Sequence, residues 1–260
     1  MFSSNRVRGV LKAMSILGFC ALQGTPHAKA QDAMKVAFTE FPPFAYSKVL
    51  AEKNGNGWVV DLYNQAFDSL KIKHLEIEIQ GKRAFSSLEQ GEADFYTCSE
   101  FHHRGKIAEQ FLLSKISLPL SATLYWMDGP EEIQDLSKVE NKTVLTVAGI
   151  ESFLSLLSKT MKKEPAVDSK TGVKMFVEKK AEYLADYEER ASFHLKAASS
   201  TLTIRSKLLK KVQSKICWKK SLPNSEKTFA DFQDKILQIQ ESAAGKALTE
   251  KYGYTGKWVK

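Results

Sequence analysis

An α/β fold is the class this sequence predicts, and three observations predict it. Short apolar runs of strand length alternate with stretches whose apolar residues recur at helical spacing. The order strand, helix, strand appears in two successive blocks, and proline or glycine punctuates the junctions. At 260 residues the chain is long enough to bury one large core or two modest ones.

The first thirty residues stand apart. Arg6, Arg8 and Lys12 precede an apolar run from Ala13 to Leu22, broken only by Ser15 and Gly18, and a polar stretch then ends in Ala28-Lys29-Ala30. The run is too short to span a bilayer, and small residues occupy the two positions a signal peptidase reads. Residues 1–30 are therefore expected to be a secretory signal peptide cleaved after Ala30, with the mature chain exported. Phe19 is too bulky for the position before a lipidated cysteine, which argues against Cys20 as a lipid anchor. Cleavage removes Arg6, Arg8, Lys12 and Lys29 and no acid, so the formal charge falls from +8 to +4. The remaining basic residues are interspersed with Asp and Glu, the pattern of a solvated surface and not of a nucleic-acid footprint.

In the first block, Lys35 to Thr39 reads as a strand stopped by Pro42-Pro43, which neither a helix nor a sheet ladder accommodates. After a loop through Asn54-Gly55-Asn56-Gly57, Asp61 stands ahead of Leu62, Ala66, Phe67 and Leu70 at helical spacing, as an N-cap or first-turn acid. Leu75, Ile77 and Ile79 alternate as a second strand. A helix from Ala84 to Gln90 ends at Gly91, and a third strand runs from Ala93 to Thr97. Ile116 to Trp126 is a long extended stretch broken by Gly129-Pro130. The second block then opens with a strand from Thr143 to Ala148, Gly149, and a helix from about Ser152 through Ser158. A Lys-rich polar region follows, then a helix near Gly172 to Lys179 and a strand Tyr183 to Ala185 ending at Asp186. A weak strand, Lys215 to Lys219, and helices Phe229 to Glu241 and Lys246 to Tyr252 complete the chain. Phe229, Phe232, Ile236 and Ile239 make a regular amphipathic face that belongs in a core.

Reactive chemistry is sparse. Cys98 and Cys217 remain after cleavage, in a compartment where a disulfide can persist, but their separation in sequence leaves a bridge and two free thiols both open. His102-His103 has no partner histidine at ligand spacing, so it reads as a polar loop and no metal site is expected. Gly55-Asn56-Gly57 is a loop and not a nucleotide fingerprint; no nucleophilic triad or phosphate loop is visible, and no cofactor is implied.

Several pieces together carry a family resemblance: Phe41-Pro42-Pro43-Phe44, then Trp58-Val59-Val60-Asp61-Leu62, then Leu88-Glu89-Gln90-Gly91-Glu92-Ala93-Asp94, then Ser99 and Arg104. In this order and spacing the chain resembles the bacterial extracellular solute-binding proteins, family 3. Lys142 to Gly149, Ala181 to Asp186 and Ala244 to Gly253 extend the likeness over most of the mature chain. The resemblance implies a type II periplasmic binding fold of two α/β lobes joined by a two-strand hinge. The first lobe would comprise residues 31–118 completed by 216–260, and the second residues 119–215. The crossings would fall near Ser117 to Thr123 and Ile216 to Lys219, and the ligand would lie in the cleft between the lobes.

The resemblance also implies site residues. Arg104 matches the position whose guanidinium grips a ligand carboxylate, a role its fork of donors suits, although Phe101 replaces the Thr common three residues earlier. Ser99 matches a hydroxyl contact, Thr97 would lie along the cleft wall, and Asp186 falls where a carboxylate faces the ligand's ammonium group. Phe41, Phe44 and Tyr46 would supply an aromatic wall. Ile150 and Glu151 stand where small hydroxyl residues are usual, so either Ser152 supplies the hydroxyl or the ligand is not an ordinary α-amino acid. Arg83 adds a second positive group and points to a more acidic ligand.

The expected function is capture of a small polar, carboxylate-bearing, amino-acid-like solute by a monomer that delivers it to an ABC-type membrane permease or reports it to a sensor. No catalytic group is expected. Two alternatives share the scaffold: a dehydratase-like cleft enzyme using Glu151 or Asp186, and an interaction protein that binds a peptide or no ligand.

Overall fold

A computed structural model describes residues 33–79, 83–99, 103–128, 130, 132–147, 155–198 and 202–260. The expected signal peptide lies outside them, as do Phe101, His102 and the stretch from Gly149 to Ser152.

Strand β1 (Met34–Phe38) buries Val36 and Ala37 and stops before the Pro42-Pro43 turn, whose peptide bond is cis. Helix α1 (Lys48–Asn54) leads through Gly57 into α2 (Trp58–Ser69). Gly57 has φ +116, and a Cβ there would stand 2.3 Å from the Phe44 carbonyl oxygen, so only glycine allows the chain to pass so close. Asp61 is indeed a first-turn acid of α2, and its Oδ2 accepts hydrogen bonds from Tyr252 (2.6 Å) and Lys251 (2.9 Å). Next come β2 (His74–Glu78), α3 (Ala84–Glu89), β3 (Phe95–Ser99), α4 (Lys106–Gln110) and β4 (Phe111–Leu113). The long strand β5 (Leu118–Trp126) leads to β6 (Thr143–Val147), β7 (Lys162–Ala166), α5 (Ser169–Val177), β8 (Tyr183–Tyr187) and α6 (Glu188–Ala198). The return strand β9 (Arg205–Lys219) precedes α7 (Ser225–Glu241) and α8 (Ala243–Tyr252). Among the described residues, no helix is long and apolar enough to cross a membrane.

These strands form a sheet in the order β2-β1-β3-β9-β5-β8-β6-β7, with β4 also paired to β9. Strands β1, β2 and β3 run parallel to one another, as do β6, β7 and β8. The two parallel blocks are joined by the antiparallel pair β5 and β9, which stay in register from Leu118↔Ser214 to Trp126↔Arg205 apart from an irregularity between Ala122 and Thr123. There Glu189 accepts the Ser121 N–H with both oxygens, at 3.1 and 3.3 Å.

The helices cover the parallel blocks, as strands buried on both faces require. In the N-terminal block an aromatic cluster fills the space between sheet, α2 and α7: Phe67 stacks on Phe232 with centroids 4.6 Å apart, and Phe95, Tyr63 and Trp218 close around them. The predicted apolar face of α7 is this contact, with Phe229, Phe232 and Ile236 all buried. In the C-terminal block Leu145, Val147, Val173, Phe176 and Leu184 form a separate, mostly aliphatic core. Cys98 and Cys217 are bonded, settling the alternatives left open by the sequence and linking β3 to β9.

Two expectations are corrected. The return strand begins at Arg205 and not at Lys215, because pairing along the whole of β5 overrides the low strand propensity of its lysines. The Lys-rich polar region contains β7, whose sequence KKEPA reads poorly as a strand. It is tolerated because β7 is the sheet's edge, where Pro165 need not donate to a further neighbour.

Candidate functional site

A cleft of about 590 Å³ opens where the carboxyl ends of the parallel strands converge. Every parallel strand contributes: Phe38, Thr39 and Glu40 at the end of β1, Glu78 and Ile79 at β2, Tyr96, Thr97 and Cys98 from β3. From the other block come Val147 at β6, Val167, Asp168 and Ser169 after β7, and Tyr187, Arg190 and His194 from β8 and α6. Leu118 and Leu120 of β5 and Val212 and Ser214 of β9 form the floor.

The N-terminal wall is mostly aromatic and hydroxylic, with the carboxylates of Glu40 and Glu78 among its residues. Thr39 Oγ1 and the Tyr96 hydroxyl are hydrogen-bonded at 2.9 Å, and Thr97 Oγ1 and the Tyr63 hydroxyl at 3.1 Å. Burial pushes both phenols above their ordinary pKa, so they remain neutral hydrogen-bonding groups. The Phe41-Pro42-Pro43-Phe44 turn adds a stacked ring pair, Phe41 on Phe44 at 5.4 Å, and Phe44 is braced from behind by Tyr254 at 4.6 Å.

The C-terminal wall is ionic. Asp186 sits at the end of β8 with its side chain fully buried. Its Oδ2 accepts the Ser169 hydroxyl at 2.5 Å; its Oδ1 accepts the Tyr187 N–H at 2.7 Å, Arg190 Nε at 2.8 Å, and Arg190 Nη2. The Arg190 guanidinium then reaches across the cleft to lie over the Phe41 ring, 4.8 Å from its centroid, and 5.7 Å from that of Tyr187. Burial lowers the pKa of the neighbouring His194 imidazole, with Asp186, Glu40 and Asp168 pulling the other way. Phe41 against Tyr187 (5.6 Å) and Tyr46 against Phe193 (5.6 Å) continue the contact between the walls.

The structure brings together some of the residues singled out from sequence. Thr97 and Phe44 line the cleft, and Asp186 lies directly behind its wall. Tyr46 belongs to a smaller adjoining hollow of about 60 Å³. Ser99 closes β3 opposite Ser214. Arg104 is exposed ahead of α4, and Arg83 is exposed ahead of α3; neither is among the residues lining the cleft. Ser152 and Glu151 lie outside the described residues. His103 contacts the Phe111 carbonyl oxygen through Nε2, at 2.9 Å. Sequence reasoning missed Arg190 and His194. The available signal was their spacing, since Arg190 and His194 stand four apart on one face of the helix that starts as the strand ends, with Asp186 four residues ahead of Arg190 in that strand.

No family model matches this sequence, and no curated protein matches it in sequence. Solved structures do match in shape. A substrate-binding protein of an amino-acid ABC transporter superposes with a TM-score of 0.67 at 15% identity, over 85% of this chain and 98% of that one. A substrate-binding protein of an ABC uptake transporter from Streptococcus pneumoniae, with bound histidine, gives 0.69 at 13% identity, over 86% and 94%. An ancestral amino-acid-binding protein described as a precursor of cyclohexadienyl dehydratase gives 0.63 at 14%, over 85% and 94%. The chain has the mixed α/β fold of type II periplasmic binding proteins.

Proposed function

We propose that this chain is a periplasmic solute-binding protein, a member of the family 3 type, that captures a small carboxylate-bearing solute between two lobes and presents it to an ABC-type membrane transporter. The observation that carries this reading is the convergence of all the described parallel strand ends, from both blocks, on one cleft of about 590 Å³. Open α/β sheets bind ligands at that edge, and a volume of this size matches a small organic molecule. The β5–β9 pair is the hinge of this reading, with lobes comprising residues 31–118 with 216–260, and 119–215.

Apolar and aromatic side chains offer the body of the solute a surface, and Thr39, Thr97 and Ser214 offer hydroxyls. Arg190 is the guanidinium lining the cleft among the described residues; Glu40, Glu78 and Asp168 line it too, but Glu78 and Asp168 accept backbone N–H groups, so Arg190 is the group offered to an anionic head, the part that sequence resemblance assigned to Arg104. Capture and release need only a closed state more stable with the solute than without it, so the solute leaves unchanged.

A thermal-shift screen of the purified protein against amino acids, dicarboxylates, other small organic acids and polyamines tests this. A solute at a hundred times its Kd adds about 2.7 kcal/mol to stability, so the expected result is a saturable rise in Tm with an organic acid recovered intact. Consumption of that acid would replace the binder with an enzyme, and a response confined to polyamines would overturn the anionic reading.

A further inference from the structure

An ionised carboxylate has about four lone-pair directions to satisfy, and a buried one must satisfy them within the protein. Asp186 accepts four hydrogen bonds from its own chain, one at Oδ2 from Ser169 and three at Oδ1 from Tyr187 N–H and two nitrogens of Arg190. The guanidinium that completes this set also lies over the faces of Phe41 and Tyr187. A carboxylate flanked by two ring faces is the arrangement that captures a cation, and here a side chain of the protein occupies it. An ammonium group brought to this position would meet a like charge, and the carboxylate behind it is already paired with that charge. Two other carboxylates of the cleft are turned to backbone donors: Glu78 accepts the Lys48 N–H at 3.2 Å, and Asp168 caps α5 through the Thr171 N–H at 2.7 Å. Glu40 lies within electrostatic reach of His194.

We propose that Arg190 is the specificity-determining residue of the cleft. It fills from within the position an α-ammonium group would take at the end of β8, and so selects organic acids lacking that group over α-amino acids. This rests on the reading of the cleft as a solute site and narrows its substrate class.

Matched pairs differing only in the ammonium group test it on the unaltered protein: phenylalanine against 3-phenylpropionate, leucine against 4-methylpentanoate, glutamate against glutarate. The expected result is that, in any pair that binds, the acid without the ammonium group binds at least about tenfold tighter by thermal shift or calorimetry, as a like charge in a desolvated pocket requires. Tighter binding of the amino-acid member would overturn the proposal. Independently, Arg190→Ala should open a cation position. Methylguanidinium is then expected to raise its Tm saturably, with no such rise for wild type or for Arg190→Ala/Asp186→Asn. If Arg190→Ala does not fold alone, refolding yield with and without methylguanidinium reads the same rescue. Absence of rescue overturns the proposal. If wild type answers to no member of any pair, the carboxylate reading of the cleft fails, and methylguanidinium rescue alone then decides whether Arg190 fills a cation position.

Discussion

Where β3 meets β9 the N-terminal block is fastened by a covalent bond, Cys98 to Cys217; where β8 meets α6 the C-terminal block is fastened by an ion pair, Asp186 to Arg190, and the hydrogen bonds around it. The first packs among Leu88, Ile107 and Phe111, and its Cys98 borders the cleft without bringing a charge to it, beside hydroxyls and rings. The second lies at the cleft wall itself and supplies a charge there. One block is held without placing a charge in the cleft, while the other uses the same groups for its own integrity and for the character of the cleft. Changes to the first should therefore alter stability with little effect on what binds, and changes to the second should alter both.

The largest expected effect is on the covalent side. Replacing both cysteines by serine should lower unfolding stability by about 4 kcal/mol, since the bridge closes a long loop in the unfolded chain. Denaturant midpoints of wild type and variant measure this, and a loss below about 1 kcal/mol would show that packing, not the bond, fastens the block. Asp186→Asn comes next, with a loss of about 3 kcal/mol because Arg190 is left buried without its counter-charge. Hydrogen exchange should locate that loss in β8 and α6 while β3 keeps its protection; uniform loss would erase the distinction between the blocks. The smallest effect concerns the junction between them. Burial pushes the Glu189 carboxyl up to about 7, against about 4.5 in the unfolded chain. Between these values the folded chain retains a proton that the unfolded chain has lost. The stabilising contribution is thus complete below about pH 4.5 and disappears as pH rises through about 7, by on the order of 1 to 2 kcal/mol. Glu189→Gln should flatten that slope in denaturant titrations across this range, and an unchanged slope would assign it to other groups.

Much of the architecture was legible because it rests on local patterns. Pro42-Pro43 stops β1, Asp61 opens α2, Gly91 follows α3, and the α7 face packs as its spacing indicates. The strands that were misread take their identity from partners: β7 is polar because it is an edge, and the lysines of β9 hid a strand that β5 holds in place. The candidate site divides the same way. Thr97, Phe44 and Asp186 were readable because they end or follow strands that point at the cleft. Arg190 was not, since its importance comes from two contacts distant in kind, a carboxylate one helical turn back and a ring from the other block. Arg104 was chosen by resemblance, and the path of the chain leaves it on the surface.

The pairing of Trp126 with Arg205 has a consequence for how such a molecule can change over evolutionary time. The chain leaves for the C-terminal block and comes back from it on adjacent strands, about 5 Å apart, with Arg205 Nη1 bonded to the Met127 carbonyl across the gap at 2.6 Å. Residues 127–204 are thus a cassette with neighbouring ends. A foreign segment of similar span could be spliced in at that single seam without rethreading the remainder, so a new half of the pocket can be acquired in one recombination event while the disulfide-bonded half is kept.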